Sequence, residues 1–127
     1  MVGMTVLIVD DSSVMRKIVE RALRQAGLDI TRVIEAGSGR EGLTALGKDR
    51  VNLIVSDINM PVMDGLEFLR QIRSQSLARG VPVVMITTES GEEHVREALA
   101  AGARGYIRKP FTPDQVRERV LPLLGSA

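Results

Sequence analysis

The sequence contains no cysteine and only one histidine. Without cysteine the chain cannot form disulfide bonds, thiolate metal sites or thiol nucleophiles, and this composition agrees with a reducing cytoplasm. Any metal site must therefore be built mainly from oxygen ligands.

An excess of charge of one sign is also absent, because 17 Lys and Arg residues oppose 16 Asp and Glu residues. A chain of net charge +1 lacks the basic field that holds nucleic acid or an anionic membrane, so neither is an expected partner. No apolar run is long enough to cross a bilayer, and the start of the chain lacks the basic flank of a signal peptide. We therefore predict a soluble cytoplasmic protein.

Apolar residues are present in the amount that one core needs, at 44% of 127 residues. We predict one domain over residues 1–127, without an output domain. Five apolar runs without polar alternation indicate strands that are covered on both faces. They are Val6–Val9, Val33–Ile34, Leu53–Val55, Val83–Ile86 and Tyr106–Ile107. Their alternation with helical patterns predicts an α/β fold of five strand–helix units with right-handed crossovers.

Helix boundaries are marked by residues with capping spacing. Asp64 is a predicted N-cap, and capping boxes occur at Ser38–Glu41, Ser90–Glu93 and Thr112–Gln115. In the first helix, an apolar stripe over Val14, Ile18, Ala22 and Ala26 predicts the buried face, and the helix should end near Gly27. Gly42 is expected to weaken the second helix. Pro122 is predicted to shorten or kink the last one.

Polar residues follow the predicted strands at the points where they end. They are Asp10, Asp11, Asp57 and Thr87, and the fifth strand leads into Lys109. Because parallel strands end at one edge of a sheet, we expect these side chains to lie close together. Two carboxylates about 4 Å apart repel by roughly 4 kcal/mol at an effective dielectric near 20, so a cation is needed. Oxygen ligands and few carboxylates favour Mg²⁺ over Ca²⁺.

The charges of this predicted pocket suit a phosphorylation switch. With Mg²⁺ bound, the three carboxylates and Lys109 sum to about zero. An acyl phosphate on Asp57 would add about one negative charge and new acceptor oxygens, which the hydroxyl of Thr87 and nearby amides can meet. Simpler interpretations remain open: Asp10 and Asp11 as helix caps, Asp57 as a turn residue, Lys109 as a solvated charge and Tyr106 as a packed residue.

Five separated motifs resemble the response regulator receiver family, in the right order and over essentially the whole chain. They are Val9-Asp10-Asp11, Ser56-Asp57-Ile58-Asn59-Met60-Pro61, Met63-Asp64-Gly65, Thr87 and Lys109-Pro110-Phe111. The resemblance implies a flavodoxin-like (βα)5 fold with strand order 2-1-3-4-5. Within the family, the chain is most similar to single-domain chemotaxis regulators.

The resemblance also implies roles for particular residues. Asp57 would accept a phosphoryl group from a phosphohistidine, and Asp11, Asp57 and the main-chain carbonyl of Asn59 would bind Mg²⁺, with Asp10 acting through a water molecule. Lys109 would contact the phosphoryl oxygens, and the Lys109–Pro110 bond would be cis.

Further roles concern the response to phosphorylation. Thr87 and Tyr106 would act as switch residues and alter the face built by the fourth helix, fifth strand and fifth helix. Asn59 and Glu89 would tune dephosphorylation, and Thr88 stands where the family often has a smaller residue. The implied partners are a CheA-like histidine kinase, a flagellar motor switch protein and a phosphatase. The protein would be a monomer, and it would act as a phosphorylation-driven switch and not as an enzyme.

Other functions fit parts of the pattern. A stand-alone receiver can serve as a phosphate sink or relay. A haloacid dehalogenase-type hydrolase also uses Asp, Mg²⁺ and Lys, but it needs an Asp-x-Asp motif and a cap insertion that this sequence lacks. A flavodoxin-type carrier is disfavoured, because Phe68, Phe111 and Tyr106 are the only aromatic residues and are poorly placed to enclose a flavin.

Overall fold

The computed structural model describes residues 3–87 and 92–124. Five strands alternate with five helices in these ranges. The strands are β1 (Met4–Val9), β2 (Ile30–Ala36), β3 (Leu53–Asp57), β4 (Val83–Thr87) and β5 (Gly105–Arg108). The helices are α1 (Ser13–Gln25), α2 (Gly39–Lys48), α3 (Gly65–Ser74), α4 (Glu92–Ala100) and α5 (Pro113–Leu124). Within the described ranges, no helix combines the length and apolarity needed to cross a membrane.

The strands form one parallel sheet in the order β2-β1-β3-β4-β5, which confirms the predicted fold class and strand order. Alternate residues of β1 enter two separate apolar layers. Val6 and Ile8 pack with α1 and α5, whereas Leu7 and Val9 pack with α2, α3 and α4. Burial on both faces explains why the central strands read as continuous apolar runs.

Strand β2 is much longer than its apolar run predicted. It lies at one edge of the sheet, where Thr31, Arg32 and Glu35 can reach solvent while their backbones pair with β1. A polar edge strand interrupts the apolar pattern, so the sequence located β2 without giving its length.

The predicted helix starts agree with the structure wherever it describes them. The side chains of Ser38, Asp64 and Thr112 accept hydrogen bonds from backbone amides three residues later, at 3.1, 2.8 and 3.2 Å. Gln115 completes its capping box by accepting a bond from the Thr112 amide at 2.9 Å. Ser90 lies outside the described residues.

Two predictions about helices are wrong in part. Val14 and Ile18 of α1 are 68% and 46% exposed, so only the later half of the predicted stripe is buried. The buried face is formed by Val19, Ala22, Leu23 and Ala26. Helix α5 is not shortened at Pro122: it continues to Leu124, since a missing N–H near a helix end disrupts few bonds.

Candidate functional site

Three carboxylates meet at the carboxyl edge of the sheet. Asp10 and Asp11 follow β1, and Asp57 ends the neighbouring strand β3, in a register that pairs Val9 with Ser56. One oxygen from each carboxylate lies within 4.8 Å of the others. Asp10 and Asp57 are 3% and 5% exposed, whereas Asp11 is exposed. The predicted acidic cluster is therefore present.

Lys109 brings a positive charge to this cluster from the loop after β5. Its Nζ lies 3.5 Å from Oδ2 of Asp57 and 3.7 Å from Oδ2 of Asp10. Its backbone N–H donates to the carbonyl of Thr87 at 2.7 Å, which ties the loop to the end of β4. The Lys109–Pro110 bond is cis, as predicted. Lys109 thus faces two carboxylates rather than bulk solvent.

Asp57 is fixed by its immediate neighbours. The Asn59 amide donates to its Oδ1 at 3.2 Å, and the Ser56 hydroxyl donates to its main-chain oxygen at 3.0 Å. Gly65 packs so closely that an added Cβ would overlap the Asp57 main-chain oxygen and lie 2.8 Å from Cα of Ile58. One carboxylate oxygen of Asp57 is thereby held by an amide, while the other faces Lys109.

Asp10 is held in surroundings that oppose its ionisation. Burial raises the pKa of Asp10, the hydrogen bond from the Ser12 amide opposes that rise, the charge of Asp57 adds to it and the charge of Lys109 opposes it. Oδ2 of Asp10 is buried and has no hydrogen-bond partner among the described residues. The 3.7 Å contact with Lys109 is an ion-pair distance, too long for a hydrogen bond.

These observations fit a divalent cation. Asp10, Asp11 and Asp57 contribute three negative charges, and Lys109 contributes one positive charge, which leaves an excess of two negative charges. An unpartnered buried carboxylate oxygen facing the same cluster is the kind of atom that a cation or its bound water satisfies. The oxygen-only cluster suits a hard cation.

The remaining predicted residues fall into two places. Thr87 is 3% exposed and ends β4 beside the cluster, and Asn59 is exposed in the loop after β3. Tyr106 is half-buried on β5, with the guanidinium of Arg119 5.0 Å from its ring centroid. A cleft of about 440 Å³ runs along this side from Tyr106 to Lys109. Thr88 and Glu89 lie outside the described residues.

Some residues of the site escaped the sequence analysis. Gly65 was placed only at a helix start, although its missing side chain lets α3 approach Asp57. Arg16 had no predicted role, yet its Nη1 donates to the Asp10 carbonyl at 2.7 Å. Each contact spans one strand-to-helix loop, with Arg16 only six residues after Asp10, and no motif in the sequence analysis predicted the path of either loop.

Comparison with known proteins agrees with this geometry. The family model of the response regulator receiver domain matches residues 6–121. A chemotaxis protein CheY homolog of Campylobacter jejuni is 41% identical over 124 residues, which cover 97% of this chain and 94% of the relative. The chain therefore belongs to the response regulator receiver domain family, whose members are signalling switches of two-component systems.

Solved structures of similar proteins support the same assignment. The chemotaxis response regulator CheY4 of Vibrio cholerae has a TM-score of 0.82 and 40% identity, over 96% of this chain and 99% of that one. The receiver domain of a sensor histidine kinase from Pseudomonas aeruginosa has a TM-score of 0.83 and 29% identity, over 98% and 99% of the two chains. That structure has a magnesium ion coordinated in its active site cleft.

Proposed function

We propose that Asp57 accepts a phosphoryl group from the phosphohistidine of a histidine kinase. A carboxylate oxygen of Asp57 attacks phosphorus, the nitrogen–phosphorus bond of the donor breaks, and the histidine nitrogen keeps the electron pair and takes up a proton. The observation that carries this proposal is the placement of Asp57, whose buried carboxylate faces Lys109 at 3.5 Å and shares its pocket with two further carboxylates.

We further propose that the pocket binds Mg²⁺. Asp11, Asp57 and the main-chain carbonyl of Asn59 would be its ligands, and Asp10 would act through a bound water molecule. The buried, unpartnered Oδ2 of Asp10 supports this arrangement. When bound, Mg²⁺ would neutralise negative charge on the phosphoryl oxygens. Lys109 would pair with the phosphoryl group from the other side.

Phosphorylation would act as a charge switch. The pocket would become about one charge more negative, and this change would draw the Thr87 hydroxyl and Lys109 inward. Tyr106 would then change its packing beside Arg119 and alter the face formed by α4, β5 and α5. Asn59 and Glu89 would tune the rate at which water removes the phosphoryl group. The protein would thus assist its own phosphorylation and dephosphorylation without turning over a separate substrate.

The chemotaxis names of the relatives support a role in that pathway. We propose a cytoplasmic, monomeric protein of one receiver domain over residues 1–127, with a CheA-like kinase as donor and a flagellar motor switch protein and a phosphatase as partners. Affinity capture with and without a phosphoryl mimic tests these partners. Capture of the motor switch protein only with the mimic would support motor control. Capture of a kinase, or of another protein with a phosphorylatable histidine, without the motor switch protein would favour a role as phosphate sink or relay.

The phosphoacceptor assignment is tested by intact mass measurement. Incubation with a small acyl phosphate donor and Mg²⁺ should add one phosphoryl mass to the wild-type protein. Asp57→Asn should gain none, because the amide is a far weaker nucleophile than the carboxylate. A matched control is Asp64→Asn, since Asp64 caps α3 outside the acidic cluster and should leave labelling intact. Equal labelling of Asp57→Asn and wild type would contradict the proposal.

A further inference from the structure

We propose that Arg16 is a positioning residue of the acidic pocket. Its guanidinium holds the peptide unit between Asp10 and Asp11 in the orientation from which Asp11 reaches the cation and Asp10 reaches a water molecule bound to it. This inference rests on the proposed function in one respect only, namely that the pocket binds a cation.

The guanidinium of Arg16 joins three segments of the chain. Arg16 lies in the first turn of α1, and its Nη1 donates to the main-chain carbonyl of Asp10 at 2.7 Å. Its Nε donates to Oε1 of Glu35, on β2, at 2.8 Å. The side chain is only 17% exposed. A rigid planar fork with two fixed acceptors on different segments constrains their relative positions.

Glu35 is itself braced from a second side. Nζ of Lys17 donates to its Oε2 at 2.8 Å, so each carboxylate oxygen has its own cationic partner. Both bonds lower the pKa of Glu35, and the bond from Lys17 contributes more than the bond from Arg16. Glu35 pairs in register with Ile8 of β1, so the brace is anchored in the sheet. Arg16 is therefore held against a fixed support.

The segment that Arg16 contacts carries two of the three carboxylates. The Asp10 amide donates to the Ala36 carbonyl at 3.1 Å, and the Ser12 amide donates to Oδ1 of Asp10 at 2.9 Å. Because the Asp10 carbonyl and the Asp11 amide belong to one planar unit, fixing the carbonyl also orients the backbone of Asp11. Asp11 is exposed, so the location of its carboxylate depends on that backbone more than on side-chain packing.

A positioning role and a purely electrostatic role for Arg16 predict opposite changes in Mg²⁺ affinity when Arg16 is replaced. A positive charge beside the pocket repels a cation, so its removal should by charge alone tighten Mg²⁺ binding. A purely stabilising role predicts a less stable protein whose folded form binds Mg²⁺ as before. A positioning role predicts weaker binding by the folded protein. The sign of the change in affinity therefore separates the three explanations.

The test is a calorimetric Mg²⁺ titration of wild type, Arg16→Met and Arg24→Met. Arg24 is a matched control on the same helix. Its Nη1 donates to the carbonyl of Ile30, at the opposite end of β2 from Glu35, at 2.9 Å. Its Nε pairs with Glu20 of α1 at 3.2 Å. Loss of the supporting partner in Arg16→Met should weaken Mg²⁺ binding about tenfold or more. Arg24→Met should stay within about twofold of wild type, because its bonds lie away from the pocket.

A second variant and a second measurement complete the test. Arg16→Lys keeps the charge but replaces the two-nitrogen fork by one ammonium nitrogen, so it too should bind Mg²⁺ more weakly than wild type. This variant decides the matter if Arg16→Met does not fold. In the metal-free protein, the Ser12 amide should exchange its hydrogen faster in Arg16→Met than in wild type or Arg24→Met.

The proposal fails if both Arg16 variants bind Mg²⁺ as tightly as wild type or more tightly. It also fails if the exchange of the Ser12 amide is unchanged in Arg16→Met. If wild type itself binds no Mg²⁺, the proposed function is contradicted, while faster Ser12 exchange in Arg16→Met would still support the positioning role. The two hypotheses are therefore tested separately.

Discussion

At the scale of single residues, Asp10 shows how the fold maintains an unfavourable charge. Its amide, its carbonyl and one carboxylate oxygen are all hydrogen-bonded, and its other oxygen is buried beside Asp57 and Lys109. Burial is the main reason that the pKa of Asp10 is raised. A buried carboxylate beside a second carboxylate is expected to lower the stability of the metal-free fold, as the proposed cation site requires.

We predict that Asp10→Asn stabilises the metal-free protein at neutral pH by on the order of 1 kcal/mol. A raised carboxyl pKa means that folding opposes ionisation, so wild-type stability falls as pH rises through the ordinary range of the carboxyl group and on to its raised folded pKa. The difference between variant and wild type should therefore shrink as pH falls to about 4 and below. Urea unfolding in the presence of a chelator measures it.

Addition of Mg²⁺ provides the control for this prediction. Saturating Mg²⁺ should stabilise the wild type against urea, because only the folded pocket binds it, and should stabilise Asp10→Asn less. An Asp10→Asn protein that is less stable than wild type in chelator at neutral pH would contradict the assignment of Asp10 as a strained charge.

At the scale of elements, helix α2 shows two glycines with different roles. Gly42 lies against the sheet, where an added Cβ would be 2.8 Å from Cε1 of Phe68 and 3.2 Å from Cγ2 of Val9. Phe68 is completely buried and has little room to move. Gly47 has no neighbouring atom within 4 Å of such a Cβ. The glycine that appeared to weaken α2 is therefore needed for its packing.

We predict opposite effects of alanine at these two positions. Gly42→Ala should destabilise the protein by about 1–3 kcal/mol, because overpacking against Phe68 outweighs the gain in helix propensity. Gly47→Ala should stabilise it by about 0.5–1 kcal/mol, since it gains propensity without a clash. Denaturant unfolding of the two single variants measures both. Stabilisation by Gly42→Ala would mean that α2 can shift away from Phe68 at little cost.

At the scale of the whole molecule, the site and the proposed output face lie on different parts of one sheet. Asp57 ends β3 and Thr87 ends β4, while Tyr106 lies on β5 in register with Met85. The Lys109 amide bond to Thr87 joins the end of β4 to the loop after β5. A movement of Thr87 toward a phosphoryl group would therefore act directly on the segment that follows Tyr106.

We predict that phosphorylation changes the environment of Tyr106 and that Thr87→Ala uncouples this change. Since Tyr106 is the only tyrosine, its ring signals in NMR spectra are unambiguous. They should shift when wild type is phosphorylated and shift much less in phosphorylated Thr87→Ala, because the donor hydroxyl is missing. Mass measurement confirms equal phosphorylation in both samples. Equal Tyr106 shifts in both would exclude Thr87 as the coupling residue.

The sequence by itself determined the fold class, three helix starts and the membership of the acidic cluster, while the strand order came from the family resemblance. The first three follow from local patterns: apolar runs, capping residues and the rule that parallel strands end at one edge. The length of β2, the exposure of Val14 and Ile18, and the continuation of α5 past Pro122 were decided by tertiary position.

The contacts that organise the site were also decided only by the tertiary structure. Gly65 meets the Asp57 backbone across the β3–α3 loop, and Arg16 links the carbonyl of Asp10, six residues earlier, to Glu35 on β2. No apolar or capping pattern encodes these contacts, because they depend on the path of each strand-to-helix loop and, for Glu35, on the pairing of β2 with β1. The sequence thus specifies which groups carry the chemistry, whereas packing of the sheet specifies how they are held.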